Sequence, residues 1–419
     1  VVGGHYIERS HAYKSPEKLQ QLGIPLWNTE AGPWRGDWKG FGELAKLFNR
    51  DYIEGKMTKT IIWSLITCYY DMIFQSSGLM KASTPWSGYY EVHPAIWAVA
   101  HTTQFVNPGW SYVDDGCGYL EKGSYVTLSA DSKNKNFSII IETMDAAEPQ
   151  KVSFQLQNTD IKNLKVWKTT VEGDVFKQEK DLKVNKTSSN RTFTLLLSPK
   201  SVYTISTEKG QTKGISDIPE SKPFPFPYLA DFEGDKINGM PRYFSDQSGA
   251  FEVVEREDKK GKCLRQVITR PSIEWVGQHD VRGKIEVPSI NQTVIGDSAW
   301  RDYSVKTDVC FVEPYSEAFV IGRIVEINHS QRPADAYYFR LKSSGHWRLN
   351  VGSKTLASGW LPVTLKTWNT LALSMKDTKI TASINGTVLS EVEDPTLKHG
   401  MVGIGSSFHK VDFDNFQIE

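Results

Sequence analysis

Helical spacing of apolar residues stops at about residue 107 of this 419-residue chain, and period-two alternation takes over from there to the C-terminus. A repeat of two alternates side chains between the faces of a sheet, so most of the chain is committed to strands. From about 108 to 222 the runs Ser124–Ala130, Phe137–Met144, Val152–Asn158, Leu164–Thr170, Arg191–Leu197 and Ser201–Ser206 have the length and spacing of a β-sandwich. Pro219, Pro223, Pro225 and Pro227 then crowd one short stretch, which predicts an extended, semi-rigid linker over 223–228. Residues 229–419 form a second all-β tract. It includes Trp368–Met375, a hairpin turning on Asn385-Gly386, and closing strands at Val402–Gly405 and Val411–Ile418. That layout fits a jelly-roll, laminin G or concanavalin-like lectin domain.

Residues 1–107 read differently. Val1–Tyr6, Ile24–Glu30 and Thr58–Leu65 are strand-like, while Pro16–Gly23, Phe41–Lys56 and Pro94–Phe105 are helical. Strands alternating with helices imply a parallel α/β structure. Three strands are too few to close a (β/α)8 barrel, so the expectation is the C-terminal part of a TIM barrel with five strands upstream of residue 1. The start Val1-Val2-Gly3-Gly4, inside a strand and without an initiator Met, gives the same expectation of an N-terminally incomplete piece. Ile24–Glu30 ends in a carboxylate just before the turn signal Gly32-Pro33. In such barrels the carboxyl ends of the strands carry the active site, and a glutamate there is the usual nucleophile of a retaining glycosidase. Glu30 is therefore the candidate nucleophile.

Composition narrows the partners. With 49 basic and 49 acidic residues there is no basic excess for nucleic acid, and no run of eighteen apolar residues predicts a membrane span. Thirteen tryptophans favour surfaces that stack on sugar faces, although core packing accounts for most of them. Asn136, Asn185, Asn190, Asn291, Asn328 and Asn385 each open a glycan acceptor triplet, which points to the secretory pathway. Cys68, Cys117, Cys263 and Cys310 lack metal-type spacing. A Cys263–Cys310 disulfide within one sheet is conceivable, but pairing is open at this level.

Several of these stretches carry a family resemblance. Val1-Val-Gly-Gly-His-Tyr6, Leu26-Trp-Asn-Thr-Glu30, Asn49-Arg-Asp-Tyr-Ile-Glu-Gly-Lys-Met-Thr58 and Thr60-Ile-Ile-Trp-Ser64 resemble the galactosylceramidase family, glycoside hydrolase family 59. So do Gly78-Leu-Met-Lys-Ala82, Pro85-Trp-Ser-Gly-Tyr89, His101–Trp110, Leu120–Val126, Ile139–Met144 and Phe413-Asp-Asn-Phe416, in order through all three parts. The resemblance implies a retaining β-galactosidase acting on galactosylceramide and related galactolipids. It also implies a lysosomal or secreted glycoprotein and a saposin-type lipid activator as partner. Glu30 falls on the family's nucleophile position, at the end of the seventh barrel strand.

Trp63 matches a tryptophan that walls the galactose, and Trp275 one that reaches over the pocket from the lectin domain. No cofactor is implied for catalysis, but a structural calcium is, on Asp231, Glu233, Asp414 and a backbone carbonyl near Lys262. Two departures stand out. The family's acid/base glutamate follows an asparagine on the fourth barrel strand, which residues 1–419 do not contain. The loop that brings an arginine to the sugar is here the short Asp145-Ala-Ala-Glu-Pro-Gln150. The rival reading is a non-catalytic carbohydrate-binding protein with a vestigial barrel.

Overall fold

The computed structural model describes residues 1–8, 13–68, 78–130, 136–157, 159–187, 190–211, 213, 217–270, 279–280, 283–284, 290–326 and 335–419. The chain divides into two compact units, one built from most of Val1–Pro219 and the other from Glu220–Glu419 with Thr84–Tyr89. The division falls beside the proline-dense stretch.

The first unit opens with β1 (Val2–His5), α1 (Glu17–Gln21), β2 (Leu26–Ala31), α2 (Trp38–Ile53) and β3 (Met57–Ile62). The three strands pair in the order β1-β2-β3, and both pairings are parallel. Helix α2 starts where Asp37 accepts the Gly40 N–H at 3.0 Å, an N-cap that satisfies one orphan donor. Gly40 is required there, because a Cβ would stand 2.0 Å from the Arg35 carbonyl. Phe41, Leu44, Ala45, Leu47 and Tyr52 recur at helical spacing and form the buried stripe of α2. That stripe meets Val126, Leu128, Ile140 and Val202 of the sandwich and Ala95 and Ala98 of α3 (Ala95–Thr103) in one hydrophobic cluster. The α/β part and the sandwich therefore share a core.

Phe137–Glu142 shows how. Ile140 faces α2, whereas Ile139 and Ile141 point to the second cluster with Leu164, Val166, Phe193, Leu197, Tyr203 and Ile205. A sheet buried on both faces reads as a continuous apolar run, which is what Ile139-Ile-Ile is. On α3, His101 lies fully buried between the hydroxyls of Thr204 and Thr169, both at 2.9 Å. Burial lowers its imidazole to about 3, so it is a neutral, structural histidine.

The second unit is a two-sheet sandwich. One sheet runs Phe251–Glu255, Lys262–Gln266, Val411–Ile418, Tyr303–Phe311, Trp368–Lys376, Lys379–Ile384, Thr387–Glu393, and Tyr228–Ala230 adds to Val411–Ile418. The other runs Ser245–Ser248, Asn291–Ile295, Met401–Ser406, Glu317–Glu326, Asp335–Lys342, His346–Val351, Lys354–Trp360. Alternate residues such as Val305, Val309, Val320, Phe339, Leu371 and Phe413 fill the space between them. This is the lectin-like all-β architecture expected for 229–419.

Two expectations from sequence need correction. Cys263 and Cys310 lie in one sheet, but Val411–Ile418 runs between their strands, and both thiols are free. Two strand spacings of about 4.8 Å each exceed the reach of a disulfide. The triplet at Asn291 is no glycan site in the folded unit: Asn291 is fully buried, and its amide donates to the Ser407 carbonyl at 3.2 Å. Asn136, Asn185 and Asn385 are exposed, and Asn328 lies outside the described residues.

Candidate active site

Parallel strands bring their carboxyl ends to one edge, and here that edge gathers His5 at the end of β1 and Tyr6 after it, Glu30 on β2 and Trp63 after β3. Close approach is needed to achieve it. A Cβ on Gly3 would stand 2.4 Å from the Thr29 side chain, and one on Gly32 would stand 2.4 Å from the Trp63 carbonyl oxygen. Each glycine lets neighbouring strand ends come together where any side chain would part them. Backbone bonds from Tyr6 N to the Glu30 carbonyl (2.9 Å) and from Trp63 N to the Ala31 carbonyl (2.7 Å) extend the ladders to this edge.

The Glu30 carboxylate is held at both oxygens. The Tyr6 hydroxyl donates to Oε1, and His5 Nδ1 lies 3.1 Å from Oε2. The side chain keeps 22% of its surface exposed, so it is oriented without being sealed off. The Tyr6 ring leans on Trp34 with centroids 5.3 Å apart, and Trp34 Nε1 donates to Glu8 Oε1 at 2.9 Å. Trp63 is 45% exposed, on the strand edge that carries this group.

Beneath the edge, Asp51 of α2 ties the strands together. Its carboxyl receives Asn28 Nδ2 from β2 at 3.2 and 3.4 Å and the Thr60 hydroxyl from β3 at 2.5 Å. Burial raises it to about 7, and the Thr60 and Asn28 hydrogen bonds only partly oppose that rise. A cavity of about 830 Å³ lies elsewhere in this unit, lined by Phe48, Asn49, Tyr52, Thr60, Trp110 and Tyr112 among others, and neither Glu30 nor its partners border it.

Of the residues singled out from sequence, Glu30 and Trp63 stand on this edge, and Trp275 lies outside the described residues. The calcium set is not gathered: among the described residues no three His, Cys, Asp or Glu side chains are placed to hold a metal. Instead the protein's own cations use these oxygens. Arg256 Nη1 donates to Asp414 Oδ2 at 2.7 Å, and Lys262 Nζ donates to the backbone carbonyls of Glu233 (2.8 Å) and Asp235 (2.7 Å). Glu233 Oε1 takes the Lys262 N–H at 2.8 Å, while Asp231 Oδ1 takes the Glu233 N–H at 3.2 Å. As arranged, these residues do not fit a calcium ion. The sequence assigns no role to His5, Tyr6 or Glu8; their part emerges when β1 is laid beside β2.

Residues 1–104 match the family model described as glycosyl hydrolase family 59, and residues 246–419 match that described as galactocerebrosidase, C-terminal lectin domain. Galactocerebrosidase of Mus musculus is 34% identical over 452 residues, covering 100% of this chain and 63% of the relative. That of Salmo salar is 33% identical over 455 residues, with 100% and 65% covered. That of Homo sapiens is 33% identical over 453 residues, with 100% and 63% covered. The chain thus spans a little under two thirds of the length of these relatives.

Proposed function

The chain belongs to glycosyl hydrolase family 59, the galactocerebrosidase family, and from that premise we propose that it carries the nucleophile of a retaining β-galactosidase acting on galactosylceramide and related galactolipids. The observation that supports this most is the grip on Glu30, a strand-end carboxylate with one donor on each oxygen. Such a carboxylate attacks the anomeric carbon and forms a galactosyl ester, which water later opens. The Tyr6 hydroxyl and His5 keep it aimed before attack. As the ester forms, Glu30 loses its charge and these donors bind it less strongly. Trp63 offers its face to the apolar side of the galactose. β1, β2 and β3 are read as consecutive strands of a (β/α)8 barrel, whose carboxyl ends form the catalytic face.

The reaction also needs a general acid about 5–5.5 Å from the nucleophile, and the proposal assigns that role to no residue of this chain. A leaving group that departs without a proton bypasses the need. A 2-deoxy-2-fluorogalactosyl fluoride should therefore label the wild-type chain on the peptide containing Glu30 and leave Glu30→Gln unmarked. Labelling at another acid would place the nucleophile elsewhere, and no labelling at all would favour a purely carbohydrate-binding role. The proposal extends to a lysosomal or secreted setting, which exposed acceptors at Asn136, Asn185 and Asn385 support, and to presentation of the lipid by a saposin-type activator.

A further inference from the structure

The seven-stranded sheet of the second unit has an outward face unlike an ordinary solvated sheet. Four neighbouring strands, Glu317–Glu326, Asp335–Lys342, His346–Val351 and Lys354–Trp360, form one end of it. Register sets Glu317 opposite Lys342, Arg340 opposite Arg348, and His346 opposite Trp360. Paired residues share a face, so these six side chains stand together, on the side away from the core residues Leu341, Trp347 and Leu349.

Half of this corner is fixed. Arg340 is 7% exposed, donates to Glu317 Oε2 at 3.0 Å and to Asn350 Oδ1 at 3.3 Å, and lies over the rings of Tyr338 and Phe319 at 4.6 and 4.7 Å. The carboxylate of Glu317 is thereby neutralised. The other half is open. Trp360 is 71% exposed, with its ring centroid 4.9 Å from that of His346. Arg348 and Lys342 are exposed, and among the described residues neither has a carboxylate partner.

An exposed indole on a rigid strand offers an apolar plate to the C–H face of a pyranose. Two unneutralised cations beside it attract an anionic substituent, and a guanidinium pairs planar oxyanions with two hydrogen bonds. Arg348 lies two residues from His346 along its strand, about 7 Å, a span that a sugar ring with one substituent covers. We propose that this corner binds an acidic saccharide, one bearing a sulfate or carboxylate, with its ring on Trp360 and its anionic group on Arg348 and Lys342. The site shares no residue with the Glu30 edge and lies wholly within the second unit.

Titrating the full chain with galactose 3-sulfate, galactose and inorganic sulfate, followed by NMR or tryptophan fluorescence, tests this. The sulfated sugar should bind about tenfold more tightly than either comparison, and less tightly as salt is raised. Trp360→Ala and Arg348→Gln should each weaken it about tenfold, with Trp360→Phe retaining most of the affinity. Both residues are exposed, so loss of fold is not expected, and an unchanged melting temperature checks that. Equal affinity for galactose and its sulfate, or wild-type affinity in Trp360→Ala, would overturn the proposal.

Discussion

A carboxylate nucleophile has to be free enough to attack and fixed enough to aim, and in the role proposed for it Glu30 would meet both needs through His5 and Tyr6 at the end of β1. A hydrogen bond to a charged group is worth about 1.5–3 kcal/mol, or roughly ten- to a hundredfold in rate if it is lost at the reacting centre. Tyr6→Phe should slow labelling by the fluorinated galactoside by about that factor. Because the ring still leans on Trp34, the melting temperature should barely move. A variant that labels at the wild-type rate would remove Tyr6 from the machinery. The place of Glu30 was legible in the sequence, as an acid ending an apolar strand before Gly32-Pro33, and the structure puts it at the carboxyl end of β2; the role proposed for it came from the family resemblance. Tyr6 was not, since its role depends on which strand neighbours β2, and hydrophobic period does not encode adjacency.

Elements reveal a different economy, in which Asp51 joins α2, β2 and β3 by accepting from Asn28 and Thr60. Its folded carboxyl sits near 7 and its unfolded one near the ordinary 3.8. Between these values the folded chain holds a proton that the unfolded chain has released, so stability falls as pH rises from about 4 to 7 and levels off above. Asp51→Asn should flatten that slope and leave the unit equally or more stable at pH 8, by on the order of 2–4 kcal/mol at most. Thermal melts of both forms across the range would show it, and parallel curves would sink the assignment. Strand positions were readable from alternation, and the doubly buried Phe137–Glu142 from its continuous apolar run. The order of strands within a sheet was not, and for that reason Cys263 and Cys310 could look like partners.

At the scale of the molecule, two units with separate cores meet the chain at Pro219 and Glu220. That division falls beside the proline-dense stretch, whereas the core shared by the α/β part and the sandwich left no trace in composition. Residues 220–419 expressed alone should unfold in one cooperative transition. With Arg256 and Lys262 occupying the oxygens of Asp414, Glu233 and Asp235, calcium and chelator should give the same melting temperature. A rise with calcium would show that the cage assembles on binding, since a ligand of the folded state alone adds about 2.7 kcal/mol at a hundredfold excess over Kd.

The strand Val411–Ile418 lies inside its sheet, between Lys262–Gln266 and Tyr303–Phe311. Its neighbours end at residues 266 and 311, well before it is made, so on the ribosome they wait with open edges, and the sheet closes only after residue 418 has emerged. Until then Cys263 and Cys310, which burial raises in the finished protein (Cys310 to about 11), remain ordinary reactive thiols. In the secretory setting proposed above, that interval would leave these two cysteines open to mispairing. A stalled nascent chain ending at residue 410 should take up a thiol reagent at both, and a released full-length chain at neither.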